Sequence, residues 1–218
     1  MVDAPVVLVR GEAFREVAPE IARFAVTVSA RDRDRQATLT RLAERSAAVR
    51  ALLDGYGEVI ERRETGGVHV RPEMKRSGER VVAYTGSVST TVTVADFTVL
   101  GELIMKLADT DQATVAGPWW ELRPGSTAHR EVRRAAITEA IERAREYADA
   151  VGARLERLQE IADDASGGGG MQLRSMAAGA YDLGGPGGAP ELDLDPQQQV
   201  VQAAVRVRFS ISEPATLG

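Results

Sequence analysis

Apolar residues recur at two different spacings along this chain, and the longest run of helical spacing lies between Ser126 and Gly152. Val132, Ala136, Ala140, Ala144, Tyr147, Ala148 and Val151 follow one another at steps of three and four, which places them on one face of a helix. Arg130, Arg133, Arg134, Glu139, Glu142, Arg143 and Glu146 fall mostly on the other face. Ser126 supplies an N-cap, and Gly152 stands where a C′ glycine ends a helix. The spacing predicts one helix of roughly 39 Å. Its stripe is mostly alanine, so it is expected to lie close against a flat partner, most simply a β-sheet.

The remaining pattern supplies that sheet. Val6 to Val9 is a short apolar run before Gly11 and reads as a strand, with a break at Val17-Ala18-Pro19-Glu20. Ala22, Phe24, Val26, Val28 and Ala30 alternate with Arg23, Thr27 and Ser29, the period of a strand with one buried face. Arg31-Asp32-Arg33-Asp34 is a charged turn in which either aspartate can cap the next helix. That helix is predicted over about Gln36 to Leu53, with Leu39, Leu42, Ala43, Val49, Leu52 and Leu53 as its stripe and Gly55 and Gly57 as its stop. Val59 to Arg71 reads as a strand bulged at Gly66-Gly67, and Ser77-Gly78 as a turn. From Val82 to Val94 the even positions, Val92 and Val94 among them, form one strand face. Asp96 is expected to cap a helix from Phe97 to Ala108 that turns Leu100, Leu103, Ile104 and Leu107 inward. A short strand comes next at Thr114 to Leu122. Leu155, Leu158 and Ile161 fit either a strand or a helix tail. Gln199 to Ile211 closes the chain as a half-buried strand.

Strands mixed with helices, without regular βαβ alternation, give an α+β fold: antiparallel sheets packed against the long alanine-rich helix and two shorter helices. The order strand, helix, strand, strand occurs over residues 22–95. A second β-α-β-β unit with an added helix is expected over 97–212. The chain reads as a single domain, 1–218, with a glycine-rich flexible loop at about 166–198. Nine of the 21 glycines lie between 167 and 188, too little apolar surface there to offset the entropy of ordering.

The ordered set of these features resembles the SIMPL domain (DUF541) family. The likeness is carried by an opening strand before Gly11, Pro19-Glu20 before a strand, then a helix, Thr65 after a strand, and Tyr84 in the next strand. Its last part is the run Ala136, Ala140, Ala144, Tyr147-Ala148 and Gly152, with Leu155 after it. The likeness covers nearly the whole chain outside the glycine-rich segment. It implies an α+β scaffold with no established catalytic residues. Many bacterial members of that family are exported to the envelope, some are linked to stress tolerance, and some form large homo-oligomeric rings. This chain has Pro-Glu where many relatives have Pro-Asp.

Composition narrows the function classes. Apolar residues make up 44%, enough for a real core. The formal charge of −5 argues against a nucleic-acid partner, whose phosphates need a basic surface. With no cysteine, disulfides, thiolate metal sites and cysteine nucleophiles are excluded. No apolar run reaches the ~18 residues of a membrane helix. Met1-Val2-Asp3-Ala4-Pro5 has neither a basic nor an apolar leader, so the expected localisation is cytoplasmic.

Candidate chemistry is sparse. His69 and His129 have no nucleophile or carboxylate at a fixed spacing and read as ordinary surface histidines. Gly167 to Gly170 is not followed by Lys-Ser/Thr, so it is not a phosphate loop. Glu191-Leu192-Asp193-Leu194-Asp195 lacks the glycine and distal glutamate of a calcium loop. Arg130, Arg133 and Arg134 share their helix with glutamates and read as a salt-bridged solvent face. No catalytic, cofactor or metal residue is assigned. The expectation is a non-enzymatic scaffold that self-assembles as a homo-oligomer or binds a protein partner. The competing reading is a small-molecule or peptide binder, or a cryptic enzyme, using a cleft near the glycine-rich loop. Trp119 and Trp120 are the candidate oligomer interface. Adjacent strand residues face opposite ways, so both indoles cannot enter one core, and Pro118 favours an edge strand.

Overall fold

In a computed structural model that describes residues 4–75, 78, 80–164 and 192–215, the chain runs β1 (Val6–Val17), β2 (Ile21–Asp32), α1 (Arg35–Asp54), β3 (Ile60–Met74) and β4 (Val81–Val94). It continues α2 (Leu100–Ala108), β5 (Ala113–Glu121), α3 (Thr127–Ala150), β6 (Leu155–Asp163) and β7 (Gln199–Ile211). The fold is α+β, as the pattern predicts. Its contacts divide the chain, read from sequence as one domain, into two compact units. One holds residues 4–17, 124–164 and 198–215; the other holds 18–123 and 192–197.

The first unit is an antiparallel sheet in the order β1-β7-β6, with α3 on one face. The helix buries Ala128, Val132, Ala136, Ala140, Ala144 and Ala148, a single row at steps of four. Each step of four turns the row by about 40° around the axis, so the contact is one slanted ridge rather than a straight stripe. Tyr147, which spacing alone puts on this face, lies off the ridge near its end and is exposed. Val9, Val205, Val207 and Phe209 form the floor beneath the alanines. Ser126 accepts a hydrogen bond from the Ala128 amide and starts the helix. Gly152, at φ +67°, ends it: Gly152 donates to the Asp149 carbonyl and Ala153 to that of Ala148.

Two expectations for this unit change. β1 does not stop at Val9 but extends to Val17, because β7 pairs with it over its whole length, from Val6 opposite Ser210 to Val17 opposite Gln199. Leu155, Leu158 and Ile161 belong to a strand, β6, fixed by its ladder with β7.

The second unit is an antiparallel sheet in the order β3-β4-β2-β5. Ala22, Phe24, Val26, Val28 and Ala30 line one face of β2 and are buried with Val92 and Val94 of β4. Leu42, Val49 and Leu53 of α1, and Leu100, Leu103 and Leu107 of α2, complete this core. Asp34 caps α1 by accepting from the Ala37 amide. Thr38 is fully buried on α1 and donates its hydroxyl to the Asp34 carbonyl, while Ala43, expected in the stripe, is exposed. Asp96 does not cap α2. Its carboxylate closes a tight turn on the amide and hydroxyl of Thr98, and α2 begins only at Leu100. On β4, Val82 is exposed and Ala83 buried, the reverse of the expected alternation, next to a register shift at Glu73/Met74. The glycine bulge is present: the β3–β4 register shifts between Thr65 and Val68. Of the expected Ser77-Gly78 turn, Gly78 has φ +76°, and Ser77 lies outside the described residues.

The β-α-β-β repeat exists, but its second copy is not residues 97–212. β5 pairs with β2 and so completes the sheet of the unit built from residues 22–95. The second copy is β1, α3, β6 and β7. Its sheet order β1-β7-β6 matches β2-β4-β3, with the helix on the first and last strands in both. One repeat is thus split in sequence, and the other is inserted between its first strand and its helix.

Candidate functional site

Among the described residues β5 is an edge strand, pairing on one side only, with β2. Trp120 stands opposite Ala22 on the face that carries the core. It is 8% exposed and meets Phe97 edge to face, with ring centroids 4.9 Å apart. Trp119 stands opposite Arg23 on the other face and is 43% exposed. The Arg23 guanidinium reaches Glu121 two residues further along β5, at 3.5 Å. The two tryptophans therefore divide as strand geometry requires, and the structure identifies the outward one as Trp119. Spacing alone does not choose between them; the choice follows from the register with β2, which sets Trp120 beside Ala22 on the core face, where it meets Phe97.

A larger exposed apolar surface lies where the spacing pattern carries no signal. On β1 the side chains facing away from α3 include Val6, Leu8 and Phe14, the last 81% exposed. They escape a period-two reading because the inward positions Val7, Val9 and Ala13 are apolar as well. Arg10 and Glu12 sit between them. Arg10 pairs with Glu12 and with Asp164, and Asp164 also reaches Arg206. From α3, Glu139 accepts from the Glu12 amide at 3.0 Å and Arg143 donates to the Arg10 carbonyl at 2.8 Å.

The remaining candidates separate. His69 is exposed on β3 and His129 half-buried in the first turn of α3. Arg130, Arg133 and Arg134 are exposed; among the described residues the ion pairs this helix makes are those of Glu131 with Arg15 and Glu139 with Arg143. Residues 165–191, with both glycine runs and Glu191, lie outside the described residues, and so does a cleft near them. The end of that segment is described: Leu192 and Leu194 pack against the core of the second unit, while Asp193 and Asp195 are exposed. Leu192 crosses α2 at Gly101, where an added methyl would overlap its carbonyl oxygen. Leu192 and Leu194, inside the range expected to be loop, thus belong to a packed strap.

The titratable groups with clear shifts lie at the surface, in ion pairs or in tight turns. Tyr56, Glu102 and Lys106 form one cluster: Lys106 donates to the Tyr56 hydroxyl, which donates to Glu102. The Glu102 carboxylate is lowered by Lys106 and then by Tyr56, and the Lys106 ammonium is raised by Glu102 and then by Tyr56. Among the described residues no group of three or more His, Cys, Asp and Glu side chains gathers to hold a metal ion. Nor, among them, is any helix long and apolar enough to cross a membrane.

No curated protein matches the chain. The family likeness read from Gly11, Pro19-Glu20, Thr65, Tyr84 and the alanine row is matched over residues 7–209, nearly the whole chain: it belongs to the SIMPL family, described as a protein of unknown function (DUF541).

Proposed function

We propose that this chain is a non-enzymatic scaffold that self-associates and offers its outward sheet surfaces to protein partners. The observation that carries this reading is the division of Trp119 from Trp120. An indole is among the largest apolar groups a protein can bury, and one left outward on an edge strand is surface for a second subunit. The Arg23–Glu121 pair beside it is an ordinary surface pair rather than a poised nucleophile and base, which favours a binding role over a reaction.

Solution mass tests the reading. The wild-type chain is expected to be dimeric or larger at micromolar concentration by sedimentation velocity. Trp119→Ser is expected to remain folded with a smaller mass. Trp120→Ser removes a buried ring and is expected to cost roughly 3–5 kcal/mol of stability. A wild-type chain that is monomeric at that concentration overturns the proposal.

A further inference from the structure

Among the described residues the two sheets have four edges, and three of them are interrupted. β3 carries register shifts at Ile60/Arg62, Thr65/Val68 and Glu73/Met74, and a proline, Pro72. β5 contains Gly117-Pro118, opposite a shift between Arg23 and Ala25. β6 shifts at Leu155/Arg157 and at Leu158/Glu160. β1 has no such break: its 12 residues pair with β7 in one continuous register. Bulges and prolines are the devices that stop an edge from accepting a further strand. The equivalent edge of the other repeat is already filled, since β5 pairs along β2.

We propose that β1 pairs antiparallel with β1 of a second copy, about a two-fold axis at Gly11, so that two three-stranded sheets become one of six strands. This rests on the self-association reading and assigns to it a strand-pairing surface in addition to the outward face of Trp119. The register follows from the strand itself. Pro5 accepts from the Ile211 amide, so odd-numbered residues bond to β7 and even-numbered ones turn their amides and carbonyls outward. Even residues must therefore face even residues. With Gly11 opposite Gly11, Leu8 faces Phe14 and Arg10 faces Glu12, each pair occurring twice. Leu8 and Phe14 are 51% and 81% exposed in the single chain, and this register covers them with each other. A slip of two residues in one direction sets Arg10 against Arg10; in the other it sets Glu12 against Glu12. Like charges directly opposite oppose pairing, so the register centred on Gly11 is selected.

The outward groups on either side of that axis are the Arg10 carbonyl and the Glu12 amide. In the single chain Arg143 and Glu139 occupy them, as a neighbouring strand would. These two side chains are themselves an ion pair one helical turn apart, and they hold the edge until a second strand displaces them.

The chain has no cysteine, so introduced thiols report the register directly. Leu8→Cys and Phe14→Cys are made separately in the full chain, each checked for the wild-type circular dichroism. Directly opposite hydrogen-bonded residues lie about 5.5 Å apart at Cα, within disulfide range. Mixed and oxidised, the two variants are expected to give a disulfide-linked dimer, while neither does so alone. As a second measurement, Glu12→Arg sets arginine against arginine at both positions and is expected to weaken association by about tenfold. If the wild type associates but the mixture gives no crosslink, or Glu12→Arg leaves the mass profile unchanged, the β1 edge is refuted while self-association stands. A crosslink from either variant alone refutes the register. A monomeric wild type defeats both proposals.

Discussion

Gly11 of β1 lies directly under the Ala136 carbonyl of α3, with no room for a side chain. A methyl added at Gly11 would overlap that oxygen and come within 2.6 Å of the Ala140 Cβ and 2.7 Å of the Ala140 nitrogen. The alanine ridge and this glycine are one device: small groups on both sides let the helix rest on the sheet backbone. Gly11→Ala is expected to cost about 1–3 kcal/mol by overpacking, lowering the melting temperature by roughly 2–12 °C. Gly125→Ala, where nothing lies within 4 Å, is the control and should not lower it. Equal melting temperatures for the two variants would show that α3 is not seated on β1.

The helix was legible in the sequence because a ridge and a stripe share the same spacing over a few turns. Tyr147 marks where the two diverge, since the row at steps of four stays fully buried as the helix crosses the twisted sheet, with Ile137 and Ile141 half-buried beside it. Gly11 is visible as a glycine, but its reason lies more than a hundred residues away in Ala136. The nested repeat was hidden for a related reason. Local alternation shows that β5 is a strand, but it does not show that its partner is β2 rather than a later strand. For the candidate surface, the opposed faces of Trp119 and Trp120 follow from strand geometry alone. The outward apolar groups of β1 do not, because both faces of that strand are apolar at its start.

At Gly101 the helix scale gives the wrong sign. Glycine inside a helix normally costs about 1 kcal/mol relative to alanine, so Gly101→Ala would ordinarily stabilise α2. Here the added methyl overlaps the Leu192 carbonyl and would displace the strap that seats Leu192 and Leu194 on the core. The variant is expected to melt below the wild type. In a Leu192→Ser/Leu194→Ser background, where the strap is already released, the same substitution should regain its ordinary stabilising sign. Stabilisation in both backgrounds would mean that the strap is not held there.

Four surface carboxylates are held below their ordinary range by groups that meet them only in the fold. Asp32 accepts from the Asp34 amide, Glu73 from the Arg31 guanidinium, Asp96 from the Thr98 hydroxyl and amide, and Glu102 is paired with Lys106 and Tyr56. A lowered folded value means that the stabilisation is fully present above the unfolded carboxylate value, about pH 4, and is lost as pH falls through the folded one. The melting temperature should therefore be nearly level around neutrality and fall below about pH 4. Asp96→Ala should melt below the wild type near neutrality, with the gap closing as the wild-type carboxylate is protonated. A gap that stays constant down to about pH 2 would show that the ionised Asp96 contributes nothing.

Asp164 holds together two arginines that strand pairing forces into opposition. Arg10 and Arg206 are direct partners across β1 and β7, a like-charge pair that opposes the ladder. The Asp164 carboxylate, 8% exposed, lies 3.0 Å from Arg10 and 3.6 Å from Arg206, and its amide donates to the Ala204 carbonyl, fixing its place. Asp164→Asn keeps the shape and removes the charge, so the two guanidiniums then face each other with only Glu12, which pairs with Arg10, to offset their charge. The expected loss is roughly 1.5–3 kcal/mol, the range of a hydrogen bond to a charged group. Both arginines are about half exposed, so salt should screen the new repulsion, and the difference from wild type should shrink between about 0.05 M and 1 M ionic strength. Adding Arg206→Gln to Asp164→Asn removes one member of the opposed pair and should recover part of the lost stability. A loss that is the same at all salt concentrations, and is not relieved by Arg206→Gln, would mean that Asp164 acts through packing or its backbone bond rather than by holding these two charges.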